Sequence, residues 1–96
     1  MINRDGLRGH EESDMEQLVY SPELLGKVIK RQRKSKKLSQ TVAGSPVKIE
    51  QSTFSSIEQG APGTRLETLF RVLAALDLEM IIRPKKAVKS KWKEEW

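Results

Sequence analysis

The run Glu50-Gln51-Ser52-Thr53, with Ser56 one turn further on, sets five polar side chains opposite the apolar pair Phe54 and Ile57. Side chains of this kind donate and accept hydrogen bonds. In a DNA major groove a glutamine amide pairs bidentately with adenine, and serine or carboxylate groups meet other base edges. Gln51 is therefore the first candidate for base reading, with Ser52 and Ser56 behind it. Thr53 suits a phosphate or a thymine methyl group equally well. Glu50 allows two readings: its carboxylate accepts from a cytosine amino group, or it folds back on a helix N-terminus, where negative charge is favoured. Upstream, Ser39 and Gln40 open another apolar-periodic segment, and a helix beginning there offers its first N–H groups to a phosphate.

Rival chemistries lack their residues. The sequence has no nucleophile–base constellation, no Gly-rich phosphate loop and no metal-ligand cluster, so neither enzymatic activity nor a cofactor is expected. His10 stands alone in a polar stretch, and Glu11, Glu12, Asp14 and Glu16 form a solvating run rather than an acid/base pair.

The elements that must position the polar run follow from the apolar spacing around it. Ala43 and Gly44 are small, Val47 and Ile49 are apolar, and Phe54 and Ile57 make a second apolar pair. Two short helices crossing steeply need this pattern, that of a helix-turn-helix. Helix-turn-helix domains usually have glycine at the tight turn; Lys48 stands there instead, so a non-glycine residue is expected to take a positive φ. Pro46 removes a helical hydrogen bond, and Gly44 adds backbone entropy. A short or distorted second helix is the expectation. Ahead of the motif, Ser21-Pro22 is a helix-start signature, and Leu24, Leu25, Val28 and Ile29 recur at helical spacing up to about Lys36. The outer face of that helix carries Lys27, Lys30, Arg31, Lys34, Lys36 and Lys37, either a solvated surface or phosphate contacts. Lys36 and Lys37 adjoin the motif and are assigned to the DNA backbone.

Beyond the motif, Thr64-Arg65-Leu66-Glu67 reads as a capping box, and Leu66, Leu69, Phe70, Leu73 and Leu76 as the inner stripe of a further helix. The period then changes. Leu78, Glu79, Met80, Ile81, Ile82 and Arg83 have no helical stripe and favour a strand, which Pro84 ends. A lone strand cannot pair with itself, so it is expected to pair across a homodimer axis. The fold class is thus mainly α: four to five helices around a helix-turn-helix, with one C-terminal β-strand shared between protomers. Residues 1–19 read as a flexible acidic arm, 20–84 as the DNA-binding and dimerisation domain, and 85–96 as a flexible basic tail ending in Trp96.

Charge agrees with a polyanionic partner. Residues 1–20 carry two basic and five acidic side chains, residues 21–84 eleven and six, and residues 85–96 five and two, for a chain total of +5. A basic body with few aromatic residues favours duplex over single-stranded nucleic acid. The absence of cysteine excludes disulfide frameworks and thiolate metal sites. No apolar stretch is long enough for a bilayer, and the acidic N-terminus has no signal core. A cytoplasmic protein, nucleoid-associated when bound to DNA, is the simplest expectation.

Leu38-Ser39-Gln40, the apolar spacing after it, and Ile57-Glu58-Gln59-Gly60 resemble the Cro/Xre-type helix-turn-helix domain of phage repressors over roughly residues 21–77. That resemblance implies a semi-buried ion pair between Arg33, seven residues before Gln40, and Glu58, eighteen after it. Taken whole, the outline from Ser21 to the terminal Trp96 resembles the HipB-like antitoxins, DNA-binding partners of HipA-type serine/threonine kinase toxins. The narrower resemblance implies a dimer with an intersubunit sheet, palindromic operator DNA, and a kinase contact at Trp96. The acidic arm and Trp92 fall outside its pattern. Either tryptophan can also be an incidental apolar residue on a tail, although tryptophan often anchors interfaces. Two alternatives stay beside this reading: a phage-type or other Xre-family regulator without a toxin partner, and a protein-interaction adaptor that keeps the motif only as a scaffold.

Overall fold

The first helix opens as Ser21-Pro22 predicts. The Ser21 hydroxyl accepts the Leu24 N–H at 3.1 Å, and Pro22 takes the first helical position. The computed structural model describes residues 16–85. Within them α1 is Pro22–Ser35 and α2 is Gln40–Gly44, followed by a 3-10 turn at Ser45–Val47; α3 is Gln51–Glu58 and α4 is Leu66–Ala75. The described residues are mainly helical, as expected.

Their core gathers one apolar face from each helix. Ile29 of α1, Ala43 of α2, Ile49, Phe54 and Ile57 in and before α3, and Leu69, Val72, Leu73 and Leu76 at α4 are buried together. Gly26 sets how closely α1 crosses α3: a Cβ there would lie 2.6 Å from the Ile57 carbonyl oxygen and nearer still to that of Glu58. Gly44 does the same inside the motif, where a side chain would run into the Ile49 carbonyl. The backbone freedom of Gly44 is thus accompanied by a close approach that no larger residue allows.

The second helix is short, for the reasons its sequence contains. Its α-helical part ends at Gly44 and tightens into the 3-10 turn containing Pro46; Lys48 then adopts φ 60 and ψ 46, the left-handed region. The Ile49 N–H bonds to the Gly44 carbonyl at 3.0 Å and the Lys48 N–H to that of Ser45 at 3.1 Å, so the turn is a Schellman-type stop. Helices α1 and α4 end the same way, with Lys37 and Asp77 at φ 59. A non-glycine residue in this region costs roughly 1–2 kcal/mol. Glycine restores part of that while adding entropy to the unfolded chain. Lys48→Gly should therefore raise the unfolding free energy by about 0.5–1 kcal/mol, read as a higher urea midpoint at unchanged slope.

Two expectations are corrected. Thr64 and Glu67 form no capping box: Arg65 is the N-cap of α4 and makes no side-chain cap bond. The Thr64 hydroxyl instead donates to the Ala61 carbonyl at 2.9 Å. Glu67, one position early for the box, lies 3.4 Å from Arg71, one turn on along the helix. The inner stripe of α4 is Leu69, Val72, Leu73 and Leu76, whereas Leu66 and Phe70 are 68% and 51% exposed. Both sets satisfy helical spacing, and the approach of α2 and the 3-10 turn selects the one that includes Val72. Residues 78–83 form no strand within the single chain. Leu78 folds back onto the core through a 2.8 Å bond from its N–H to the Leu73 carbonyl, while Met80, Ile81 and Ile82 remain exposed, Ile82 by 88%. A strand needs a ladder partner, and the partner expected for this segment belongs to a second chain.

Candidate DNA-reading face

The residues singled out for base reading share one exposed surface of α3. Glu50 is the N-cap, Gln51 the first helical residue, and Ser52 and Thr53 complete the leading turn; all four are exposed, as is Ser56 one turn later. The opposite face buries Phe54 and Ile57. Ser39 caps α2, its hydroxyl accepting the Val42 N–H at 3.1 Å.

Behind this surface runs a chain of hydrogen bonds reaching back to α1. Arg33 Nε and Nη2 donate to the two Glu58 carboxylate oxygens at 2.6 and 2.9 Å, a bidentate pair whose side chains are 9% and 3% exposed. Arg33 Nη1 also donates to the Leu38 carbonyl at 2.8 Å, fixing the link between α1 and α2. Gln40 Nε2 donates to Glu58 Oε1 at 3.0 Å, and Gln40 Oε1 accepts from Gln51 Nε2 at 2.6 Å. Burial pushes the Glu58 carboxyl up, but the hydrogen bonds from Arg33 and Gln40, helped by the charges of Arg33 and Lys30, hold it below the ordinary carboxylate range. Hydrogen bonding to Glu58 outweighs burial at Arg33 as well and keeps its guanidinium protonated.

Gln40 thereby has more to do than meet a phosphate. Its side chain already commits one oxygen lone pair and one N–H to internal partners, leaving one amide hydrogen, the second lone pair and the backbone N–H at the start of α2 for a ligand. Sequence reasoning placed Gln40 at a helix start and missed this bridging position. The available signal was the complementary set Gln40, Gln51 and Glu58 on the two helices that the motif itself brings together. Lys36 and Lys37 lie at the end of α1, apart from that chain: Lys36 pairs with Asp77 at 2.7 Å and Lys37 holds the left-handed turn. Trp92, Trp96, His10 and most of the acidic arm lie outside the described residues.

These features define a class: a Cro/Xre-type helix-turn-helix protein with a polar α3 face backed by a buried ion pair. Comparison with known proteins narrows it. No protein-family model matches the chain. It is 32% identical over 66 residues to antitoxin HipB of Escherichia coli (strain K12), covering 69% of this chain and 75% of that protein. Antitoxin HipB of Escherichia coli O6:H1 matches at 32% identity over 66 residues, covering 70% of its length. Among solved structures, HipB in a HipA-HipB-O2-O3 complex and in a complex with an O4 20mer each superpose with a TM-score of 0.70 at 31% identity. Each covers 74% of this chain and 100% of its own. The chain belongs to the HipB antitoxin family.

Among the described residues, no helix is long and apolar enough to cross a membrane.

Proposed function

We propose that this protein is the antitoxin and repressor of a toxin–antitoxin operon, a homodimer that binds palindromic operator DNA through α3 and a HipA-like serine/threonine kinase through its C-terminal tail. The observation that carries the reading is Gln51, exposed at the leading turn of α3 with its amide held by Gln40, in a chain of the HipB antitoxin family. HipB itself has been solved with HipA and with 20mers, and this chain shares its fold over the whole length of those HipB chains.

In this assignment Gln51, Ser52 and Ser56 read bases, with Glu50 beside them. Ser39, Gln40, Thr53, Lys36 and Lys37 face the DNA backbone, and Arg33 and Glu58 set the geometry. Residues 78–83 pair with their copies in the partner; the exposure of Met80, Ile81 and Ile82 supports this, since pairing would cover apolar surface otherwise left in water. The acidic arm 1–19 and the tail 85–96 flank a working domain of 20–84, and Trp96 enters the kinase. The protein acts in the cytoplasm as a binding protein rather than an enzyme.

Band shifts on its own promoter test the first half: tight palindrome-specific binding is expected, with affinity falling steeply as salt rises. Co-purification with the product of the adjacent gene tests the second. Deleting the last five residues should abolish kinase capture while leaving operator affinity within about twofold, because the deletion removes none of the residues assigned to the operator. Tight operator binding by a chain that captures no kinase would instead mark a regulator without a toxin partner.

A further inference from the structure

Glu50 occupies the N-cap of α3 without acting as a cap. Its φ of −71 and ψ of 154 are those of a capping residue, yet its side chain makes no capping hydrogen bond with the first turn. Ser21 and Ser39, at the starts of α1 and α2, do accept such bonds. Among the described residues no ion pair engages Glu50 either, and it is exposed beside Gln51. Of the two readings its sequence position allows, folding back on the helix is the one the structure does not adopt.

We infer that Glu50 reads a cytosine, accepting from its N4 amino group in the base pair next to the one addressed by Gln51. This rests on the assignment of α3 as the DNA-reading helix. Consecutive Cα atoms lie about 3.8 Å apart and base pairs about 3.4 Å, so residues 50 and 51 at a helix N-terminus address neighbouring pairs. An ionised carboxylate has acceptors only. In the major groove guanine offers acceptors, and thymine an acceptor and a methyl group. Adenine sets its amino donor beside the N7 acceptor, and only cytosine presents a donor without an acceptor on the same base edge. The charge also disfavours every register in which no donor faces it, so Glu50 sharpens specificity by rejecting other sites as well as by binding its own.

Selection from duplexes with a randomised half-site tests this on the full-length protein, comparing wild type, E50A, E50Q and Q51A. Wild type should enrich cytosine at one position flanking a selected adenine. E50A should lose about 5- to 150-fold of discrimination at that position alone, the span of one base contact, and bind non-operator DNA more tightly. Q51A should lose the adenine and keep the cytosine. E50Q should shift the preference away from cytosine, since an amide brings a donor as well as an acceptor. An E50A protein that selects the wild-type sites with wild-type discrimination overturns the proposal while leaving α3 as the reading helix. Loss of all selection by the wild type overturns that assignment and the proposal together. Thermal unfolding of E50A should match the wild type; a lower midpoint would mean that Glu50 does cap α3 and would overturn the premise.

Discussion

Arg33→Met is expected to lower the unfolding free energy by about 3–5 kcal/mol, the cost of leaving one partner of a buried ion pair uncompensated. The Glu58 side chain is 3% exposed, and without the guanidinium it keeps only the Gln40 amide as a donor among its bonded partners. The same substitution frees the Leu38 carbonyl that Arg33 holds at 2.8 Å between α1 and α2. Small domains have roughly 5–15 kcal/mol in total, so an urea titration should find the variant near the edge of folding at room temperature. Arg33→Met combined with Glu58→Leu should recover most of the loss, because it removes the charge left behind as well as the pair. A single variant costing less than about 1 kcal/mol would show that water reaches Glu58 and that the pair is a surface contact.

The same pair sets the response to acid. The Glu58 carboxyl is held below its ordinary range in the folded chain, whereas in the unfolded chain it titrates near the usual value of about 4.3. The folded form therefore binds this proton less tightly than the unfolded form. The stabilisation is complete above the unfolded value and is lost as pH falls through the folded one, so stability should decline below roughly pH 4. A Glu58→Gln protein starts less stable and should show a shallower decline in the same window, measured by urea midpoints at stepped pH.

Legibility in the sequence followed how local each cause was. The Ser21 and Ser39 caps and the shortened second helix arise from a few adjacent residues and were readable, while the left-handed Lys48 was readable because helix-turn-helix domains usually have glycine at that turn. The Arg33–Glu58 pair spans two helices and became readable only through the resemblance of the motif to a family. Helix α4 resisted because two apolar faces share its spacing, and packing against α2 and the 3-10 turn, not periodicity, buries Val72 and exposes Phe70. The Thr64 hydroxyl donates to the Ala61 carbonyl of the preceding turn, and the helix starts one residue later than the sequence pattern suggests, with Arg65 at the N-cap. Lys37 and Asp77 end helices as glycine would, with no glycine to announce it. The base-reading surface was legible as a set of exposed residues, but not the hydrogen bonds beneath it, since amide pairing between Gln40 and Gln51 leaves no trace in hydrophobic patterning.

That hidden pairing makes the second large effect a coupled one. Gln51→Ala should cost about 1–3 kcal/mol of operator affinity, concentrated at one adenine. Gln40→Ala should lose a comparable share of the same adenine preference, although Gln51 is intact. One Nε2 hydrogen of Gln51 is committed to Gln40 Oε1 at 2.6 Å, which fixes which end of the amide is nitrogen. What remains outward is one N–H and one carbonyl oxygen, the order that meets adenine N7 and its N6 amino group together. Gln40 is itself oriented by its 3.0 Å bond to Glu58, so the ion pair with α1 ultimately aligns the reading residue. Without Gln40 the Gln51 amide is free to rotate, and binding must then order it at the expense of side-chain entropy. A double-mutant cycle on the two glutamines, read by fluorescence anisotropy, should therefore be non-additive by 0.5 kcal/mol or more, within the 0.5–3 kcal/mol usual for groups in one network. An operator carrying 2-aminopurine or purine at the adenine, which lacks the N6 amino group, should bind wild type and Gln51→Ala nearly alike. Strict additivity between the two glutamines would mean that they meet the DNA independently, with Gln40 contributing only through the backbone.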